Sequence, residues 1–388
     1  MQDFHAQLRT LGELLLAYQA DWRFLPFDTQ HWPWPELAFL QDKTPDELEA
    51  MEQAALHALL DRHRPGLSPW HAKALPRISG PALALPERLA VGMGGRKWQQ
   101  IQDFSAAVAP RLPVLEWCAG KGHLGRALAS QGLTVQALEW QQSLCDQGQD
   151  LARQWQLDHQ FVCADALAPD SGRWVKAQQH AVALHACGDL HSQLLVHAVK
   201  AGTQAISLSP CCYHLIAGDR YQPLSALGRQ LDLGLTRFDL RLPLQELVTG
   251  GDRAERLRHK ELGYRLAFDS LQRQLRGDDS YLPVPNAPKS LFSGDFASFA
   301  HWAAEKKGLA LPAKMALEPF LAEGLRRHQK VRRLDWVRHW YRRPLELWLL
   351  LDRVCYLVDA GYQVRLGSFT DKAQTPRNAL IDARKGDA

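Results

Sequence analysis

From residue 113 to residue 210 the sequence alternates short apolar runs with helix-patterned segments, and few folds accept that order. Val114–Trp117, Thr134–Leu138, Gln160–Cys163, Ala181–Leu184 and Gln204–Leu208 each read as a strand, and helical segments such as Gly122–Ser130 separate them. Repeats of this kind build a parallel sheet covered by helices on both faces. Ligands of such sheets sit beyond the carboxyl ends of the strands. Glu116, Glu139, Asp165, His185 and Cys211 all fall there. A strongly apolar helix at Leu345–Ala360 precedes two further strands, Tyr362–Ser368 and Ala379–Ala383, with Thr375-Pro376-Arg377-Asn378 between them. The expected fold is α/β and Rossmann-like, a seven-stranded, mostly parallel sheet with a C-terminal hairpin. A helical N-terminal segment and a large helical insertion accompany it.

Residues 1–94 read as the helical N-terminal region and a linker. Leu8, Leu11, Leu14 and Leu15 form an apolar stripe that continues to Tyr18 and Trp22. Trp32-Pro33-Trp34-Pro35 forbids a continuous helix. Thr44-Pro45-Asp46-Glu47 carries an N-cap, a first-position proline and first-turn acids, so a helix is expected from there to about His63. Residues 64–92 are rich in proline and glycine and read as an irregular arm. Residues 95–388 form the main domain, interrupted at about 215–344 by polar helices and the stretch Leu282–Pro288. The leading region suits a small recognition domain or a cap on the main domain.

Composition excludes several classes. Of the 388 residues 46% are hydrophobic and 23% charged, which gives ample core. No run of about eighteen apolar residues occurs, so no membrane span is expected. The N-terminus lacks a basic-then-apolar signal pattern. The seven cysteines are odd in number and several lie in strand-like runs, which suits a reduced, cytoplasmic protein. No obligate protein partner is expected.

The sharpest motif is Val114-Leu-Glu-Trp-Cys-Ala-Gly120-Lys-Gly122-His-Leu-Gly125, a strand, a glycine turn and a helix start. Gly120-x-Gly122-x-x-Gly125 also satisfies a dinucleotide fingerprint. Glu116 decides between the two cofactor classes. A dinucleotide would set anionic phosphates on this loop, beside that carboxylate. S-adenosylmethionine carries an ammonium and a sulfonium instead. At about 4 Å and an effective dielectric near 20, an opposite pair gains on the order of 4 kcal/mol and a like pair loses as much. Glu139, at the end of the second strand, suits ribose hydroxyls, and Asp165 suits an adenine amine. Gly92-Met-Gly94-Gly95-Arg96-Lys97 is a basic turn before the first strand, and its amides and Lys97 are placed to approach a cofactor carboxylate or the substrate.

His185-Ala-Cys187-Gly188-Asp189 follows the fourth strand and Ser209-Pro210-Cys211-Cys212-Tyr213-His214 the fifth. Methyl transfer is an in-line displacement on a sulfonium, so an enzyme must hold the nucleophile and take its proton. His185, Asp189 and His214 are candidate proton acceptors. Cys211, Cys212 and Tyr213 are candidates to line the acceptor pocket. Two cysteines and two histidines also match a zinc site in composition. The spacing lacks Cys-x-x-Cys knuckles, and adjacent cysteines do not point one way from a strand, so no metal is expected.

These residues together carry a resemblance. Glu116-x-Cys118-Ala-Gly120-Lys-Gly122-His123-Leu, Leu184-His-Ala-Cys-Gly-Asp189 and Pro210-Cys-Cys-Tyr-His214 resemble the methyltransferase domain of several families. Among them are the glutathione S-transferase C-terminal domain-containing protein, the ribosomal RNA adenine dimethylase-like methyltransferases and the acceptor-stem tRNA ribose methyltransferases. The helix with Asp352-Arg353 and the closing Thr375-Pro376-Arg377-Asn378 resemble later parts of the same pattern. The similarity covers roughly 95–215 and 345–388. It implies a class I methyltransferase dependent on S-adenosylmethionine. The cofactor would be held by Glu116, Gly120, Gly122, Glu139 and Asp165, with Cys118, His123 and His185 alongside. The His-x-Cys-Gly and Cys-Cys loops would face the active site.

One charge run stands out. Gly324–Arg343 holds eight Lys/Arg and one acid, Asp335, with interleaved aromatics. That pattern suits phosphate contacts and base stacking. Arg326, Arg327, Lys330, Arg332 and Arg333 are therefore candidate nucleic-acid contacts, and the expected substrate is RNA, of the transfer or ribosomal kind. Methylation of a protein or small molecule, or a non-catalytic RNA-binding role, are the alternatives.

Overall fold

A computed structural model describes residues 3–29, 31–245 and 252–386. All seven expected strands form: β1 Val114–Trp117, β2 Val135–Glu139, β3 His159–Cys163, β4 His180–Cys187, β5 Ala205–Cys211, β6 Tyr362–Ser368 and β7 Ala379–Lys385. They make one sheet in the order β3-β2-β1-β4-β5-β7-β6. The first five are parallel, and β7 runs antiparallel to β5 and β6. This is the Rossmann-like methyltransferase fold with its reversed hairpin. β1 is buried along its whole length, as a strand covered on both faces must be. The order reverses between β1 and β4, which opens the ligand crevice at their carboxyl ends.

The helix Gly95–Val108 buries Ile101 and Phe104 on one side of the sheet, where they join Leu124, Leu128, Val182, Phe369 and Leu380. The helix Arg342–Asp359 is buried nearly all round and precedes β6. Four of its buried residues are charged: Arg343 and Glu346, which pair with each other at 2.5 Å, and Asp352 and Arg353. Asp352 accepts from the Tyr221 hydroxyl (2.5 Å), the Leu224 amide (2.9 Å), and the amide and hydroxyl of Ser225 (2.9 and 2.7 Å). Arg353 donates to His191 Nε2 (2.8 Å), the Tyr221 oxygen (3.1 Å) and the Leu349 carbonyl (2.6 Å), and lies over the Tyr213 ring. The pair thus fixes the chain leaving β5.

Three expectations are corrected. The helix from Pro45 does not reach His63 unbroken: Pro45–Glu49, with its Thr44–Glu47 capping box, ends at Ala50, and a second helix spans Gln53–His63. The arm at 64–92 is not wholly irregular, since Arg77 bridges Ser368 of β6, the Ile78 amide donates to the Ser368 carbonyl and Ile78 enters the core. β4 and β5 run past their expected ends at Leu184 and Leu208, to Cys187 and Cys211.

The chain forms two compact units. One comprises Met1–Ala17, Pro69–Val248 and Tyr341–Ala388 and contains the sheet; the boundary expected near residue 94 lies inside it. The other comprises Tyr18–Ser68 and Thr249–Trp340. Its helices Asp252–Arg276, Phe296–Lys307 and Glu318–Arg338 surround a core of Phe268, Leu271, Phe292, Phe296 and Phe299. Its buried Asp21 is held by Arg64 and by the Trp34 indole N–H (2.7 Å). Among the described residues no helix is long and apolar enough to cross a membrane.

Candidate active site

β1 delivers Glu116 and then turns through Cys118, whose φ of +60° starts the glycine loop. Gly122 has φ +63°, and a Cβ there would meet Phe161 at 2.4 Å and His159 at 2.5 Å, so only glycine fits. Gly120 differs: its Cβ direction is open space, as a ligand-facing backbone requires. Its amide donates to Glu139 Oε2 at 2.9 Å, and the Gln141 amide donates to Oε1 at 3.0 Å. Glu139 therefore ties the loop after β1 to the end of β2.

Glu116 is 5% exposed and accepts the Gly125 amide at 2.9 Å. Burial pushes its carboxyl up to about 8, against that amide, Arg126 and Lys97. The nearby His159, 3.9 Å away, supplies no positive charge, because burial holds it down to about 3. At about 8 the Glu116 carboxyl is mostly protonated at neutral pH, and a cation brought beside it would favour its ionised form. His123 pairs with the Arg126 guanidinium, and burial followed by that charge brings it to about 3. Burial pushes the Cys118 thiol up to about 12. Asp165 is exposed beyond β3 and accepts the Leu167 amide at 2.8 Å. Two exposed apolar side chains adjoin these acids: Trp140, 69% exposed, follows Glu139, and Leu167 lies two residues after Asp165. The sequence signal that could have found Trp140 is its place directly after an acidic strand end.

β4 breaks its register after Leu184, where His185 takes φ +64°. His185 Nε2 lies 2.8 Å from Gln100 Oε1, and Gln100 Nε2 donates to the Gln374 carbonyl at 3.2 Å. The carbonyl fixes the amide orientation, so Oε1 accepts, His185 Nε2 carries the proton and Nδ1 keeps its lone pair. Burial, then Lys97 and Arg377, hold this histidine down to about 4. It is a neutral base with an oriented ring. Gln100 was missed in the sequence because nothing near it in the chain marks it. Asp189 accepts the Ala217 amide at 2.7 Å and so braces the loop after β5. Gly188, at φ +55°, is required there, since a Cβ would stand 1.9 Å from the Leu215 carbonyl oxygen.

Cys187 and Cys211 are register partners at the ends of β4 and β5, with sulfurs 3.5 Å apart. Cys212 takes φ +47°. Hydrogen bonding with Cys211 pulls its thiol down to about 5, burial opposes this, and Cys187, His214 and Arg377 assist. Cys211 is pushed strongly upward by the same contacts. His214 Nδ1 is buried with no hydrogen-bond partner among the described residues. Arg377 donates to the Leu244 carbonyl at 2.6 Å, and its own carbonyl accepts from Ser209 (3.2 Å).

The second unit holds the basic helix. Arg326 pairs with Glu323 (2.8 Å), Arg327 with Asp269 (2.8 Å), and Arg332 with Asp46 and Glu49 (2.7 and 2.8 Å). Arg333 donates to the Lys43 carbonyl at 2.7 Å. Arg273, Arg326, Arg327 and Lys330 line a cavity of about 370 Å³ together with the acids Asp279 and Glu323, and burial followed by Arg326 and Arg327 lowers the Lys330 ammonium.

Residues 96–219 match a family model described as a methyltransferase domain. This stretch of the chain is similar to a methyltransferase domain. The match contains the glycine loop, both acidic strand ends and the two cysteine loops. A 175-residue stretch is 26% identical to the glutathione S-transferase C-terminal domain-containing protein of Xenopus laevis. It covers 43% of this chain and 27% of that protein's length. Similar solved structures include the CcbJ methyltransferase of Streptomyces caelestis (19% identity, 31% of this chain and 53% of that one, TM-score 0.26). TehB of Haemophilus influenzae is another (10% identity, 28% and 39%, TM-score 0.25).

Proposed function

We propose that this methyltransferase takes its methyl group from S-adenosylmethionine and delivers it to RNA. The observation that carries the cofactor reading is the open Gly120 backbone between two carboxylates. Glu116 is buried and suited to the ammonium of the methionine half. Glu139 keeps further lone pairs for ribose hydroxyls, and Asp165 is exposed for the adenine amine, with Trp140 beside it in sequence. The cofactor supplies an electrophilic methyl on a sulfonium. His185 Nδ1, neutral and oriented through Gln100, is the group of this chain best placed to take a proton from the nucleophile. The acceptor reading rests on the cationic cavity of the second unit.

Methylation of a protein or small molecule is the second reading. The ion pairs at Arg326, Arg327 and Arg332 favour it, because they occupy cations that phosphates would need. Calorimetry with S-adenosylmethionine and Glu139→Ala tests the cofactor claim; binding unweakened by the substitution refutes it. Retention of labelled transfer RNA by the full chain, measured from 50 to 200 mM salt, tests the acceptor claim. No retention at the lowest salt refutes it.

A further inference from the structure

The thiols of Cys187, Cys211 and Cys212 form a cluster whose sulfurs all lie within 4.8 Å of one another. We propose that this cluster is a binding site for one soft divalent cation, zinc in the first instance, held by three thiolates with the fourth position open.

The backbone departs from regular strand geometry to build the cluster. In a strand, adjacent side chains alternate between faces, so Cys211 and Cys212 would diverge. Cys212 instead adopts φ +47°, a left-handed conformation that a residue with a Cβ takes only under constraint. That single rotation brings its sulfur back beside Cys211 and removes the objection that adjacent cysteines diverge. On the neighbouring strand His185 and Gly188 flank Cys187 with φ of +64° and +55°. The positive φ of the non-glycine residues Cys212 and His185 is strained backbone, which concentrates at functional sites. Cys187 and Cys211 are also register partners, so the sheet itself fixes their spacing.

The dimensions suit the ion. With Zn–S bonds of about 2.3 Å, tetrahedral coordination puts sulfurs about 3.8 Å apart. One pair already stands at 3.5 Å. All three donors are soft, which selects zinc over magnesium or calcium. Cys211 is buried while Cys187 and Cys212 are only half-buried, so the cluster has a closed floor and an accessible side. Three protein ligands with one open position are the arrangement of zinc sites that bind water or substrate. The cluster lies at the carboxyl ends of β4 and β5, the same edge of the sheet as Glu116. Binding forms three Zn–S bonds, and each sulfur that still carries a proton releases it to solvent.

The test uses the full chain, purified reduced and metal-free. Cobalt(II) chloride titration is expected to give a thiolate-to-cobalt charge-transfer band saturating at one ion per chain. Cys187→Ser is expected to abolish the band, and Cys163→Ser, at an exposed thiol outside the cluster, to preserve it. Because a cluster variant can fail to fold, a second arm uses the unaltered protein. One equivalent of zinc chloride should slow N-ethylmaleimide alkylation of Cys187 and Cys212 at least tenfold, read by peptide mass spectrometry, and leave Cys163 unchanged. A spectrum of free aqueous cobalt, a band retained in Cys187→Ser, or alkylation of Cys187 and Cys212 unaffected by zinc overturns the proposal.

Discussion

Cofactor binding should expel a proton from Glu116, and the amount follows from the structure. Without a cation beside it, its carboxyl titrates at about 8 because burial disfavours the charge. At pH 7 the group is then about 0.9 protonated. An ammonium within about 4–6 Å lowers such a value by up to about 3 units, to about 5, where the group is ionised at pH 7. Binding at pH 7 should therefore release about 0.9 proton, and affinity should rise about 20-fold from pH 6 to pH 7.5. Calorimetry in two buffers of different ionisation enthalpy measures the release directly. Glu116→Gln, which keeps an oxygen for the Gly125 amide, should abolish both the release and the pH dependence. An observed heat that is the same in both buffers for the unaltered protein refutes the reasoning. The sign for stability is opposite. The folded chain holds this proton to higher pH than the unfolded chain, so stability is lost as pH rises from about 4.5 towards 8. Glu116→Gln should thus raise the ligand-free melting temperature at pH 8 relative to the unaltered protein.

Other consequences are equally direct. Glu139→Ala leaves two amides without their carboxylate, at roughly 1.5–3 kcal/mol for each charged hydrogen bond, and should weaken S-adenosylmethionine binding at least about tenfold. Asp352→Ala strips four donors of their acceptor and leaves Arg353 buried without its neighbouring charge. Urea unfolding should show a loss of about 3–5 kcal/mol. His159 is fully buried and titrates near 3, below its unfolded value. Stability should fall as pH drops below about 6.5, with a slope of up to about 1.4 kcal/mol per pH unit from this group, and His159→Asn should flatten that slope. Arg326→Ala together with Lys330→Ala should reduce the salt slope of RNA retention by about 0.7 for each phosphate that is no longer neutralised.

The sheet was legible in the sequence because each parallel strand is a short apolar run and two of them carry an acid at or next to the end. Glu116 and Glu139 could be placed from that alone, since the end of a parallel strand fixes where its next side chain stands. The ends of β4 and β5 were less legible. His185 and Cys212 take positive φ without being glycine, and no local pattern announces it. The break between Glu49 and Gln53 was hidden for a similar reason, as no proline or glycine marks it. Asp352 and Arg353 were visible as charges in an apolar helix, but their partners Tyr221 and Ser225 lie more than 120 residues away in the chain. The same holds for Arg332, whose acids at 46 and 49 belong to a distant segment. A charge run can be counted from the sequence, whereas the acids that pair with it are set by the tertiary fold.

The proposed reaction is methyl transfer from S-adenosylmethionine through the Glu116–Glu139 site. Incubating the full chain with methyl-tritiated S-adenosylmethionine and fractionated extract of a strain lacking the protein tests it most directly. Label should enter the RNA fraction with the unaltered protein and stay at background with Glu139→Ala. Label in no fraction, or equal label from both proteins, contradicts the account.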